Sequence, residues 1–230
     1  MEALAPCYTS VVALETMQFG SLMIEFDDQV LRPRPWTIAQ ALWASELAEA
    51  APDGRLLELC SGAGQIGLLS AQLCAEHGRA RELVLVDADP RACGFARANA
   101  ERAGLAGVVE TRQARLRTAL QPDERFPVIM ADPPWVPTAG TARYPEDPLW
   151  AIDGGTDGLD VARGCLAVIG RHLQPGGSAI LQLGDEEQAE ILGADLGRVD
   201  LDQGDLESLE IVGRRQPAGA NGILVRLAGW

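Results

Sequence analysis

The sequence predicts an α/β fold: a seven-stranded, doubly wound sheet that finishes in an antiparallel C-terminal hairpin. Three observations carry this. Short apolar runs alternate with helical stretches along most of the chain, the pattern of parallel strands joined by crossover helices. At residues 56–73 an apolar run passes directly into a glycine-containing turn and then a helical stretch. Near the C-terminus two strand-like runs are separated by the short segment QPAGAN. A connection that short allows an antiparallel pair, whereas parallel neighbours need a crossover.

The elements follow in order. Residues 36–50 read as a helix, with Ile38, Leu42 and Leu47 near helical spacing, and Pro52, Asp53 and Gly54 break it. Residues 56–60 are the first strand, and 65–77 a helix ended by Gly78. Residues 82–87 are the second strand. Pro90 suits the first turn of a helix that runs to about Gly104. Strands follow near 107–112 and at 126–132, then a Pro- and Gly-rich loop over 133–158. A helix from Asp160 to Leu173 is closed by the PGG turn at 175–177, ahead of a fifth strand at 178–183. Residues 186–197 are helical, and 208–213 and 222–228 form the closing hairpin. Residues 1–35 read as a short N-terminal extension and 36–230 as one domain.

Composition narrows the function. The chain has 230 residues, of which 47% are hydrophobic, which suits one folded domain and excludes a disordered chain. Its apolar runs are of strand length, well short of the roughly 20 residues of a membrane span. The N-terminus lacks a basic stretch followed by an apolar block, so no secretory signal is read and a cytoplasmic location is expected. Cys7, Cys60, Cys74, Cys93 and Cys165 are scattered without CxxC spacing, and only His77 and His172 could join them. No metal site is expected, and the thiols, Cys60 excepted, read as small buried apolar residues of a reducing compartment. The formal net charge of −14 counts against a nucleic-acid partner, whose phosphates such a surface repels.

Two constellations carry chemistry. In LLELCSGAGQIG, the turn Cys60-Ser61-Gly62-Ala63-Gly64 follows a strand and opens a helix. Its glycines let backbone approach a ligand, and the helix start presents free amide hydrogens. The next strand ends in VDADP, with Asp87 about 20 residues beyond the turn, where a carboxylate can accept from both hydroxyls of a ribose. A bare tight turn is the competing reading. The third glycine of a dinucleotide fingerprint is missing, which counts against a nicotinamide dehydrogenase.

The second constellation is Asp132-Pro133-Pro134-Trp135, at the end of the fourth strand. The prolines stop the strand and stiffen the loop. An aspartate carboxylate and a backbone carbonyl held there can accept both hydrogens of one NH2 group, and Trp135 can stack on the flat group carrying it. A delocalised nitrogen is a poor nucleophile, so placement and preorganised charge are the levers such a site needs. A proline-rich loop with a core tryptophan is the alternative.

With both in place, the chain resembles class I methyltransferases that use S-adenosylmethionine (SAM), whose Rossmann-like sheet carries an acidic residue, here Glu58, before G-x-G. More narrowly it resembles the HemK/PrmC-like family of glutamine-amide N-methyltransferases, marked by a [ND]PP[YFW] tetrapeptide. Residues 31–37 (LRPRPWT), 145–160 (PEDPLWAIDGGTDGLD) and 173–184 (LQPGGSAILQLG) resemble further family segments. The resemblance implies SAM contacts at Glu58, Cys60, Ser61, Gly62, Ala63 and Gly64. It adds Asp87 and Ala88 at the ribose, Leu116 beside the adenine, and Asp132. Asp132, Pro133, Pro134 and Trp135 would hold the target nitrogen, and residues 151–160 would border the mouth. Arg34 and Thr37 would stand at the entrance, although a plain helix start explains them equally well.

Three departures from the family pattern matter. Only about 30 residues precede the PRPxT-like segment, where relatives acting on release factors have a helical domain. Asp132 replaces the usual asparagine, and an ionised aspartate only accepts hydrogen bonds, which favours a neutral amine or a cation. Arg115 replaces an aspartate near the adenine. The expected activity is SAM-dependent methylation of a planar nitrogen, an amide or amine, on a protein side chain or small molecule. The alternatives are methylation of an adenine amino group in nucleic acid and a SAM-binding protein whose catalysis has decayed. No membrane partner is expected, and the sequence leaves the oligomeric state open.

Overall fold

A computed structural model of the chain describes residues 13–196, 209–219 and 222–229. Cys7, the expected helix end at 197 and the expected strand start at 208 lie outside them. The chain opens with a hairpin of β1 (Glu15–Phe19) and β2 (Leu22–Phe26), followed by α1 (Ile38–Ala50). Then come β3 (Leu56–Leu59), α2 (Gln65–Glu76), β4 (Leu83–Asp87), α3 (Pro90–Arg102), β5 (Val109–Gln113) and β6 (Phe126–Ala131). The short α4 (Leu149–Ile152), α5 (Asp160–His172), β7 (Leu173–Leu183) and α6 (Glu186–Leu196) lead to β8 (Leu209–Arg215) and β9 (Ile223–Gly229).

The main sheet has seven strands in the order β5-β4-β3-β6-β7-β9-β8. Its first five are parallel, and β9 runs antiparallel to both β7 and β8. Side chains alternate across it as the pleat requires. Leu56, Leu83, Leu85, Val128 and Met130 face a core shared with α1, α2 and α3. Leu57, Leu59, Val84, Val86 and Ile129 face one shared with α5 and α6. Burial on both faces explains why these strands read as unbroken apolar runs. The winding reverses between β3 and β6, and a crevice opens at that switch point. No helix among the described residues is long and apolar enough to cross a membrane.

Two expectations change. The PGG segment does not separate α5 from the next strand, because β7 already begins at Leu173, paired with Phe126. The register then shifts between Phe126 and Val128. Pro127 lies in that gap, and its missing N–H gives the ladder no donor, so the facing residues bulge.

The boundary drawn at residue 36 also moves. Phe19, Leu22, Ile24, Phe26 and Val30 are buried in the same core as α1–α3, so the hairpin belongs to the domain. Its alternation of buried and exposed side chains, clearest in LMIEF, is that of a strand covering a core. Asn99 on α3 fastens it. Its Oδ1 accepts from Glu25 N (2.8 Å), and its Nδ2 donates to Glu25 O (2.9 Å) and to Ala63 O (3.0 Å). One buried amide thus joins the hairpin to the glycine turn.

Asn99→Ala is expected to lower the unfolding free energy in urea by about 3 kcal/mol, since it strands three backbone groups at once. A loss within about 0.5 kcal/mol, typical of surface changes, would show that the hairpin is not fastened this way.

Candidate active site

The glycine turn is held from the end of the neighbouring strand β4. Cys60 (φ 57°), Gly62 (φ 52°) and Gly64 (φ 83°) are all left-handed, which turns the chain from β3 into α2 within a few residues. Ser61 N donates to Val86 O (3.0 Å) and Gly64 N to Ser61 O (2.8 Å). Asp87, at the tip of β4, accepts from Gly62 N (2.8 Å) and Asp89 N (2.9 Å). Burial raises its pKa above the usual carboxylate value, and the amide donors oppose that rise.

Glu58 lies beneath this turn. It is 1% exposed, and its Oε2 accepts from Gly67 N (2.9 Å), the residue that turns over it in α2. A Cβ on Gly67 would sit 2.5 Å from that oxygen, so glycine is what allows the carboxyl in. Burial pushes its pKa well above normal, and its Oε1 has no donor among the described residues. Glu58 thus supports the turn from below.

Above the strand ends lies a cavity of about 760 Å³. Of the residues expected in the site, it brings together Cys60, Gly62, Asp87, Ala88, Leu116, Asp132 and Pro134. Ser61, Ala63 and Gly64 form the back of the turn, and Glu58, Pro133 and Trp135 also lie outside the lining. Val30, Leu31, Gln65 and Arg163 are among the lining residues that were not expected there. The alternation at Leu22–Phe26 marks the hairpin, but Val30 and Leu31 follow it outside any strand. Arg115 and Trp150 line it as well. Arg34 pairs with the buried Asp147 and lies close enough to Asp132 to act on its charge. Thr37 is buried, its hydroxyl donating to Arg34 O (2.9 Å), in the short turn that opens α1.

The residues fit an adenosine-bearing ligand. The volume is in the ordinary range of small-molecule sites, about 300–1,000 Å³. Asp87 offers carboxylate lone pairs beyond those used by the two amides, Ala88 and Leu116 give apolar walls, and the start of α2 suits a carboxylate.

The tetrapeptide forms the other end. Asp132 lines the cavity and makes no hydrogen bond among the described residues. Burial raises its pKa to about 7, opposed by the nearby Arg34. Beyond it, Val136 N donates to Ile152 O (3.0 Å) and Val136 O accepts from Gly154 N (2.9 Å). Gly154 packs so closely that a Cβ there would lie 2.7 Å from Pro134 O. The Trp135 ring is not brought to the cavity. It lies on Gly184, where a Cβ would meet Cε3 at 2.6 Å. The aromatic ring at the cavity wall belongs to Trp150, which is 50% exposed.

Comparisons with known proteins agree with this geometry. Residues 37–144 match the family model described as Methyltransferase small domain. The chain is 33% identical over 175 residues to a release factor glutamine methyltransferase of Gloeobacter violaceus, covering 74% of this chain and 59% of that one. To the protein of the same description from Deinococcus radiodurans it is 34% identical over 184 residues, covering 78% and 63%. A ribosomal protein uL3 glutamine methyltransferase of Bradyrhizobium diazoefficiens is 34% identical over 134 residues, covering 56% of this chain and 40% of that one. The chain thus spans about three fifths of the length of the release factor enzymes.

Among solved structures, the N-terminal domain of human METTL16 in complex with SAH aligns with a TM-score of 0.60 at 14% identity, covering 91% of this chain and 76% of that one. A ribosomal protein L11 methylase from Lactobacillus delbrueckii subsp. bulgaricus aligns with a TM-score of 0.58 at 15% identity, covering 87% and 81%. These two share the fold. On its motifs and its relatives, the chain belongs to a HemK/PrmC-like methyltransferase family.

Proposed function

We propose that this chain is a SAM-dependent N-methyltransferase that presents a planar side-chain nitrogen of a cytoplasmic protein to the cofactor. The observation that carries the reading is the unpaired Asp132 carboxyl at one end of a cavity whose other end holds Asp87. Pro134 lines the same wall. The relatives named for glutamine methylation of a release factor and of ribosomal protein uL3 favour a protein acceptor over a small molecule.

When bound, the cofactor supplies an electrophilic methyl on a sulfonium. The chain's own residues do the rest. Asp87 accepts from ribose hydroxyls, and Ala88 and Leu116 flank the base. Glu58 and the strand-end hydrogen bonds hold the turn in place. Asp132 Oδ and a backbone carbonyl of the tetrapeptide accept the two N–H groups of the acceptor, which fixes its lone pair in line for attack. The carboxylate opposes the positive charge that grows on that nitrogen. With a pKa of about 7, Asp132 can then take up the proton that the nitrogen sheds.

Asp132→Ala is expected to slow methyl transfer at least about 100-fold while leaving SAM affinity by calorimetry largely unchanged. Full activity in that variant removes the proposed role. The pH dependence has a definite sign. Burial raises this pKa, so the group is neutral below about 7 and anionic above it. The anion is the better acceptor, so kcat/KM should rise with pH through about 7. Asp132→Asn keeps an oxygen acceptor without the titration, and its profile should be flat from about pH 6 to about pH 8. The same inflection in Asn and wild type would place the titrating group elsewhere.

A further inference from the structure

Gln188, near the start of α6, is 6% exposed and does not line the cavity. Its side-chain amide nevertheless reaches three separate segments around the tetrapeptide. Oε1 accepts from Gly184 N (2.8 Å) at the end of β7. Nε2 donates to Trp135 O (2.9 Å) and to Asp157 O (3.2 Å) in the loop after α4. Both N–H donors of the amide are thus used, with its carbonyl on a third partner. The partners also fix which way round the amide sits, because one amide N–H needs an acceptor and two carbonyls need donors.

The surrounding glycines leave room for this contact and for little else. A Cβ on Gly158 (φ 79°) would lie 2.4 Å from Gln188 Nε2 and 2.4 Å from Trp135 O. One on Gly184 would lie 3.0 Å from Gln188 Oε1 as well as against the Trp135 ring. The need for such an anchor follows from the prolines. Pro133 and Pro134 have no N–H with which to tie the tetrapeptide to a neighbouring strand. Its hold on the protein therefore comes from the carbonyl of Trp135, taken by Gln188, and from Val136.

We propose that Gln188 is a positioning residue for methyl transfer. Resting on the function proposed above, it acts through the Trp135 carbonyl to set the course of the Asp132–Pro134 segment toward the acceptor nitrogen. It holds the acceptor end of the cavity and leaves the cofactor end, built on β3 and β4, untouched.

Two variants remove the donors. Gln188→Glu keeps the size and the acceptor for Gly184 N, and Gln188→Met removes the donors without adding charge. Each is compared with wild type by calorimetry with SAM, by steady-state kinetics, and by 19F NMR of protein labelled with 5-fluorotryptophan. The Trp135 resonance is assigned by its loss in Trp135→Phe. Unchanged SAM affinity, a kcat lowered about 100-fold and a displaced Trp135 resonance are expected. In active wild type, an unchanged kcat in either folded variant overturns the proposal, whatever the resonance does, and so does an unmoved resonance. If wild type transfers no methyl group, the proposed reaction falls, and the resonance alone then decides whether Gln188 holds the loop.

Discussion

Pro133 and Pro134 give the chain two consecutive peptide nitrogens without a hydrogen, so β6 cannot continue its ladder beyond Ala131. The form of the cavity at the tetrapeptide follows from that constraint. A segment that cannot donate must be held by its carbonyls and by packing, and three glycines supply the packing space. Gly154 admits Pro134 O, Gly158 admits Trp135 O, and Gly184 admits the Trp135 ring. The loop at 154–158 and the end of β7 are distant in sequence, and the parallel order β6-β7 is what brings them to one place.

Three carboxyls, Glu58, Asp87 and Asp132, sit around the same strand ends, and burial raises the pKa of all three. Their hydrogen bonds separate their tasks. Glu58 spends one oxygen on Gly67 N and lies under the turn. Asp87 accepts from two backbone amides and still faces the cavity. Asp132 faces the cavity without a hydrogen bond among the described residues, which leaves it free for an incoming donor.

Much of the geometry around the glycine turn was legible in the sequence because its determinants are local. A strand, a turn and a helix start are contiguous in LELCSGAGQIG, and Asp87 follows at the tip of the next strand. The ring of Trp135 was not legible. Whether it faces the cavity or the sheet depends on Gly184, some 50 residues on, and on which strand lies beside β6. The hairpin at 15–26 left a readable alternation, but its strands are only five residues each, and what they cover is set by α2 and α3. The family match at 37–144 takes in the glycine turn, Asp87 and the tetrapeptide, while Val30, Leu31, Trp150 and Arg163 line the cavity from outside it.

Cys60 is a non-glycine residue in a backbone region that suits glycine, held at φ 57°. Such a conformation in a non-glycine residue costs on the order of 1 kcal/mol or more, and it persists where the surroundings over-determine it. Here the surroundings are the bonds from Ser61 N to Val86 O and from Gly62 N to Asp87, together with the buried Cys165 sulfur 3.9 Å from that of Cys60. The turn is therefore rigid before any ligand arrives. A ligand settling on it has little backbone left to freeze, and more of its contact energy survives as affinity.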